Sequence, residues 1–287
     1  MARFRHFAAI DWSGEAVARP KGLALAVASA GRKAPEPLRP AGGWSREALA
    51  EWIAERADQD ILIGLDLSPA FPFLDHGAFF PGWNASPHDA QELWALVEDL
   101  CADDPHLGCA GFLGHPEAAR HFRQRGLLGD RHPPGRGRLR ICEYGQRQQG
   151  LSPYSCFNLV GAAQVGKSSL TGMRVLHRLR GKVAIWPFDP LPKHGAVVVE
   201  IYSSLAARAG GVRAGRSKLR DGPALDGVLT ALGSEPHRAL SRYDDHTTDA
   251  ILTAAWLRHV SQRSELWQPA GLTEKIARTE GWTFGVA

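Results

Sequence analysis

The sequence lacks any apolar run of about 18 or more residues, which predicts that no helix crosses a membrane. Its first residues enter a short strand-like stretch without the longer apolar core of a signal peptide, which favours a cytoplasmic protein. Internal repeats and low-complexity tracts are also lacking, which argues against a solenoid or a fibre. No C-x-x-C pair occurs, so neither a zinc ribbon nor a redox motif is indicated, and reduced thiols are expected at Cys101, Cys109, Cys142 and Cys156.

The composition is that of an ordinary globular protein, with 44% hydrophobic and 22% charged residues. The 287 residues suffice for one large domain, or for one domain that carries a substantial insertion. The formal net charge of +4 is compatible with a nucleic-acid partner but does not require one.

Apolar runs that alternate with helical periodicity predict an α/β fold. The expected strands lie at 6–12, 22–29, 60–67, 183–188, 196–202 and, at a sheet edge, 281–286. The expected helices lie at 46–56, 90–100, 156–180, 219–232 and 245–260. Ser45 is a good N-cap for the first of them, and residues 32–43 are expected to be a loop because they are rich in proline, glycine and charge.

The segment 68–150 interrupts this alternation and is interpreted as an insertion of mostly loop and helix within a single domain, 1–287. Between residues 115 and 150 it carries eight arginines. A non-catalytic nucleic-acid-binding module built on this stretch is one interpretation, but few aromatics are interleaved for base stacking. A solvated loop is the simpler one.

Three acidic residues lie inside or at the end of apolar strands, namely Asp11, Asp66 and Glu200. A carboxylate in a strand covered on both faces is strongly disfavoured unless a hydrogen bond, a salt bridge or a cation compensates for its burial. A fourth acid, Asp249, shares a helix face with Leu252 and other apolar residues, so it is expected to point toward the core, with Asp245 one turn earlier.

Gathered at one place, these acids are the hard oxygen ligands that Mg²⁺ or Mn²⁺ prefers. Each acid alone also has a structural interpretation. Asp66 can cap the following turn, Asp245 can cap its helix, and Glu200 can pair with an arginine.

At these positions the chain resembles the family called domain of unknown function 429, which is grouped with the ribonuclease-H-like superfamily and described as predicted nucleases. The resemblance spans nearly the whole chain. It rests on Ala9-Ile-Asp-Trp-Ser13, Ile63-Gly-Leu-Asp-Leu-Ser-Pro-Ala-Phe-Pro72, Trp186-Pro-Phe-Asp189, Val199-Glu-Ile-Tyr202, Asp245-His-Thr-Thr-Asp-Ala250 and Gly281-Trp-Thr-Phe-Gly285.

The resemblance implies a ribonuclease-H-like mixed sheet flanked by helices and a two-metal nuclease that acts on DNA or RNA. It places Asp11 on the first strand, Asp66 at the end of the strand beside it, Glu200 on a later strand and Asp249 on the closing helix. These four would be catalytic metal ligands, with Asp245 as a fifth metal ligand. Ser203 departs from the family, in which proline usually follows the tyrosine.

Two further basic residues are candidates near such a site. Lys218 is a candidate phosphate contact, with a solvated surface lysine as the alternative. His246, between two of the acids, is a candidate for assisting the leaving group, although a histidine near a helix start is commonly a surface or capping residue.

Residues Gly161–Ser168 match the phosphate-binding pattern G-x-x-x-x-G-K-[ST], so a nucleotide-binding protein is an alternative function. Such a loop normally follows a buried strand, but the preceding Cys156–Val160 is a weak strand candidate. A second alternative is an actin-like kinase, because the turn after Asp11 faintly resembles the phosphate-holding turn of those proteins. Those kinases need two such domains and usually a longer chain.

Overall fold

The computed structural model describes residues 3–133, 135, 137–160, 164–213 and 219–287. The strands in this part of the chain are β1 (His6–Asp11), β2 (Ala24–Ser29), β3 (Glu36–Leu38), β4 (Ile61–Asp66), β5 (Arg123–Gln124), β6 (Leu127–Leu128), β7 (Ala184–Ile185) and β8 (Val197–Glu200). The helices are α1 (Arg46–Ala54), α2 (Ala90–Leu100), α3 (Ala110–Gly114), α4 (Pro116–Ala119), α5 (Ile141–Gln148), α6 (Val165–Leu179), α7 (Ser203–Ala209), α8 (Gly222–Ala231), α9 (Asp245–Val260), α10 (Ser264–Trp267) and α11 (Glu274–Thr279).

Six strands form one mixed sheet in the order β3-β2-β1-β4-β8-β7. The first three strands in the chain are antiparallel neighbours, whereas β1, β4, β8 and β7 run parallel to one another. The carboxyl ends of β1, β4 and β8 therefore lie at the same edge of the sheet. The remaining strands, β5 and β6, form a short separate hairpin. The predicted α/β class, with a mixed sheet flanked by helices, is confirmed.

Helices cover both faces of the sheet, and each face has its own hydrophobic core. On one face, Ile10, Leu65 and Val198 belong to the core that α1, α2 and α6 complete. On the other face, Ala9 and Val199 belong to the core of α7, α8 and α9. Because side chains alternate between faces along a strand, neighbouring residues of one strand belong to different cores.

Several sequence predictions hold at the level of single residues. Helix α9 has the predicted bounds, and the Ser45 side chain caps α1 by accepting a hydrogen bond from the Ala48 N–H at 3.1 Å. Others were wrong. The expected loop 32–43 contains β3, α6 starts at Val165 rather than at residue 156, and 281–286 contributes only a bridge from Thr283 to Glu200.

The segment 68–150 shares the core of the sheet and is largely packed rather than solvated. Helix α2 packs against α6, and the Trp94 indole N–H donates a hydrogen bond to the Pro69 carbonyl at 2.7 Å. Two of its arginines, Arg138 and Arg140, are buried, so a solvated basic loop describes this stretch only in part. All four cysteines are free and buried, as expected for reduced thiols. Within the described ranges, the helices are too short or too polar to span a bilayer.

Replacing Gly64 with alanine is expected to destabilise the protein by about 1–3 kcal/mol, the usual cost of overpacking a core. A Cβ there would lie 2.6 Å from Ile201 Cγ2 and 3.0 Å from Leu257 Cδ1. Urea denaturation measures the loss. Gly227→Ala on α8 is the control, because a Cβ there meets nothing within 4 Å, and helix propensity favours alanine by about 1 kcal/mol. Equal stabilities for Gly64→Ala and the parent chain would contradict this packing.

Candidate functional site

Asp11 and Asp66 are direct neighbours at the carboxyl ends of β1 and β4. The parallel register pairs Asp11 with Asp66, so both side chains lie on the same face, on strands about 4.8 Å apart. Buried apolar residues precede both acids in their strands. The sheet therefore holds two carboxylates side by side at the border of its core.

Asp249 joins this pair from the helix layer. It lies on α9, which packs on β1 and β2, and it lines the same narrow gap as Asp11 and Asp66. The hydroxyl of Thr253, one helical turn further on, lines this gap as well. That hydroxyl is buried and has no hydrogen-bond partner within the described part of the chain. Three of the predicted ligands thus converge beside a buried polar oxygen.

The electrostatics of the cluster disfavour full ionisation. Burial, followed by the charge of Asp11, raises the pKa of Asp66 to about 8, and Asp249 adds to this shift. Hydrogen bonds from the side chain and backbone of Ser203 oppose the shift but do not outweigh it. The protonated form of Asp66 is therefore favoured, and a bound cation would offset the same unfavourable burial of charge.

The three carboxylates are close neighbours rather than a preformed coordination shell. Among the described residues, no three His, Cys, Asp or Glu side chains are already placed to hold one metal ion. Binding one ion through all three acids would therefore need side-chain rotations at the strand ends.

Glu200 is not brought to this gap. It is in register with Leu65, one residue before Asp66, so it projects from the opposite face of the sheet. Arg140 donates to both of its carboxylate oxygens, at 2.8 and 2.5 Å, and the Thr283 hydroxyl donates at 2.7 Å. The structural alternative for Glu200, a pair with an arginine, is what the structure shows.

Arg140 is fully buried and all of its nitrogens are used. Besides Glu200, it donates to Glu143, to the Ser68 hydroxyl and to the Glu280 carbonyl. A cavity of about 200 Å³ touches both this ion pair and the Asp11–Asp66 pair. The Arg140–Glu200 pair is therefore a fixed wall beside the acids.

Asp245 also lies outside the gap lined by the three acids. It starts α9 and lies 3.8 Å from the guanidinium of Arg220, which is largely exposed. Asp244, not Asp245, caps the helix, by accepting a hydrogen bond from the Thr247 N–H at 2.9 Å. Burial opposes ionisation of Asp244, but the hydrogen bonds from Thr247 outweigh it and lower the pKa of Asp244.

His246 contacts the acid cluster directly, whereas the sequence indicated only that it lies between two acids. Its Nδ1 lies 2.5 Å from Asp11 Oδ2, and its ring is half exposed. The signal was its position between two acids at the start of α9. Lys218, the predicted phosphate contact, lies outside the described residues.

The strand end that carries Asp11 is firmly anchored. The Trp12 indole N–H donates to the Thr171 hydroxyl at 3.1 Å, which ties β1 to α6. The buried Arg46 donates to the carbonyls of Ser13 and Glu15 and so holds the turn that follows. These contacts fix where the Asp11 carboxylate emerges.

The motif Gly161–Ser168 lies partly outside the described residues, and its visible part is closely packed. A Cβ on Gly14 would lie 2.5 Å from the Ser168 nitrogen, so this turn presses on the first turn of α6. Gly166 packs against the Cys156 carbonyl. The residues before the motif do not form one of the strands found in the described chain. The context that a phosphate-binding loop requires is thus not seen here.

Comparisons of the chain with family models, with curated proteins and with solved structures give no match.

Asp66→Asn is expected to raise the melting temperature at pH 8 and to flatten its pH dependence. The raised pKa means that the folded chain keeps a proton that the unfolded chain releases near pH 4, so stability falls as pH rises from about 4 to 8. Asparagine removes this ionisation. Thermal melts from pH 5 to 9 in EDTA test it, with the exposed Asp99→Asn as control. Parallel curves for wild type and Asp66→Asn would contradict the assigned shift.

Glu200→Ala is expected to cost about 3–5 kcal/mol of unfolding free energy, because Arg140 would keep a buried, uncompensated charge. Urea denaturation measures this loss, and Glu51→Ala, an exposed change on α1, controls for removal of a carboxylate. The double variant Arg140→Met with Glu200→Leu should recover part of the loss. A stable Glu200→Ala variant that no longer binds Mn²⁺ would instead return Glu200 to the metal ligands.

Proposed function

We propose that this chain is a divalent-metal-dependent nuclease with a ribonuclease-H-like core, which hydrolyses phosphodiester bonds in DNA or RNA. The observation that carries the proposal is the convergence of Asp11, Asp66 and Asp249 at the carboxyl ends of two parallel strands. The positions of Asp11 and Asp66 agree with those implied by the resemblance to domain of unknown function 429.

The donor chemistry of these residues fits Mg²⁺ or Mn²⁺. Three carboxylates supply hard oxygen ligands, and the buried hydroxyl of Thr253 adds a neutral oxygen beside them. Burial, followed by the charge of Asp11, raises the pKa of Asp66, and a bound cation would offset both effects, so binding and deprotonation would be coupled. Asp11, Asp66 and Asp249 are the proposed ligands, whereas Glu200 and Asp245 are left out because their contacts lie elsewhere.

A divalent ion held there would supply positive charge against a phosphate and make water more acidic. The chain itself supplies orientation. The pair with His246 fixes Asp11, the hydrogen bonds from Ser203 fix Asp66, and the Trp12–Thr171 hydrogen bond holds the end of β1. The Arg140–Glu200 pair forms an internally neutralised wall of the cavity that also touches Asp11 and Asp66.

A nucleotide-binding function centred on Lys167 is less well supported. The close approach of Gly14 to the first turn of α6 covers backbone groups that such a loop would present to phosphate. A non-catalytic nucleic-acid-binding protein of the same fold predicts binding without turnover, so activity assays separate it from the nuclease.

Asp11→Asn is expected to lower Mn²⁺-dependent cleavage of labelled single-stranded, duplex and branched oligonucleotides by at least about 100-fold. The reason is that a metal site contributes several kcal/mol of transition-state stabilisation. Asp99→Asn, the same chemical change on the outer surface of α2, should leave the rate unchanged. Calorimetric titration with Mn²⁺ alone should show binding to wild type and weaker binding to Asp11→Asn.

Two outcomes would overturn the nuclease proposal. One is an Asp11→Asn variant that cleaves at the wild-type rate. The other is a wild-type protein that binds Mn²⁺ but cleaves none of the three oligonucleotide forms.

A further inference from the structure

A cleft of about 930 Å³ lies next to the acid cluster. One wall is the turn after β1, including Ser13 and Gly14, and another is the first turn of α6, including Lys167. The segment 104–114 and Gln124 of the β5–β6 hairpin complete it. Its volume lies at the upper end of the range of typical ligand sites, about 300–1,000 Å³.

The cleft leads to the acids. Trp12, Val165 and Ser168 line both this cleft and the smaller cavity that touches Asp11 and Asp66. His246, which contacts Asp11, also lines the cleft. A chain-like ligand in the cleft would therefore run toward the carboxylates.

The far rim of the cleft includes Gln124 of the β5–β6 hairpin, whose first strand is fixed by hydrogen bonds. The N–H of Arg123 donates to the Phe157 carbonyl at 2.9 Å, and the Gln124 side chain donates to the Leu113 carbonyl at 3.1 Å. On β6, Leu127 pairs with Gln124 and is 52% exposed, and Leu128 pairs with Arg123 and is 64% exposed. Neither leucine belongs to a hydrophobic core of the described chain, so the apolar surface of each is open to a ligand.

In the described part of the chain, some arginines around the hairpin are paired with carboxylates and others are not. Among the arginines of 115–150 that the structure describes, those paired with carboxylates are Arg120 (Asp130, Glu117), Arg131 (Glu117), Arg138 (Asp75) and Arg140 (Glu143, Glu200). The described ion pairs do not include Arg123 or Arg125, and both side chains are exposed on the hairpin. The cations that remain available for an anionic ligand thus include two that flank the exposed leucines.

We infer that this cleft and the β5–β6 hairpin bind a single strand of nucleic acid and lead it to the acid cluster. Arg123, Arg125 and Lys167 contact phosphates, and the two exposed leucines cover base faces. A single strand is assigned because its unstacked bases offer apolar faces, whereas a duplex keeps them stacked. This inference rests on the proposed nuclease function, whose substrate it specifies.

Binding is measured by fluorescence anisotropy with labelled single-stranded DNA and RNA in EDTA, so that the readout is independent of metal and of cleavage. Arg123→Ala with Arg125→Ala should weaken binding about tenfold and reduce the slope of log affinity against log salt by about 1.4, as expected for two lost phosphate contacts on a single strand. Leu127→Ser with Leu128→Ser should weaken binding without changing that slope.

The matched control is Arg5→Ala with Arg32→Ala, which removes the same charge from two exposed arginines at the opposite end of the β1–β2 pair. If both arginine double variants lose affinity equally, or if a blunt duplex binds as tightly as the single strand, the inference fails while the nuclease proposal stands. Absence of wild-type binding to any single strand also overturns it. Failure of the nuclease proposal is seen separately, as unchanged cleavage by Asp11→Asn.

Discussion

The parallel pairing of β1 with β4 is the constraint on which the site depends. This register sets Asp11 beside Asp66 on the face that α9 covers, and α9 adds Asp249 to the same gap. Burial of the Asp66 carboxyl, followed by the charge of Asp11, raises its pKa, so this arrangement disfavours ionisation of all three acids together. Hydrophobic packing on either side of the strands stabilises the sheet while it holds a cluster that is unfavourable by itself.

A second buried carboxylate, Glu200, lies near the same strand ends, and its charge is compensated in a different way. On the opposite face, Glu200 is matched by Arg140, with Thr283 completing its hydrogen bonds. The Glu200 carboxylate is thus compensated by a buried arginine, whereas burial and the charge of Asp11 raise the pKa of Asp66 on the other face. The register of β8 with β4 pairs Glu200 with Leu65 and so places it on the opposite face of the sheet from Asp66.

The sequence predicted the framework better than the details of the site. Apolar runs predicted β1 and β4, and helical periodicity predicted α9 with Asp249 on its inner face. The three acids that converge were therefore all predicted from the sequence. The position of Glu200 could not be predicted, because the face it occupies depends on the β4–β8 register and a shift of one residue reverses it. Arg140 was hidden for another reason. It lies in a basic, glycine-rich stretch that is typical of a solvated loop. Its burial depends on Glu200 and Glu280, which are distant in sequence.

The network around Arg140 also has a consequence for the order of assembly. Arg140 donates to residues 68, 143, 200 and 280, and Thr283 donates to Glu200. The network therefore closes only when segments separated by more than two hundred residues have met. Contacts of such long sequence separation pay their loop-closure entropy before they return any stability. On a ribosome, residue 283 is made long after β1 and β4, so the acid-bearing strands exist for a time without their neutralised wall. The ion pair beside the acids is therefore complete only after residue 283 has been synthesised and has joined the sheet.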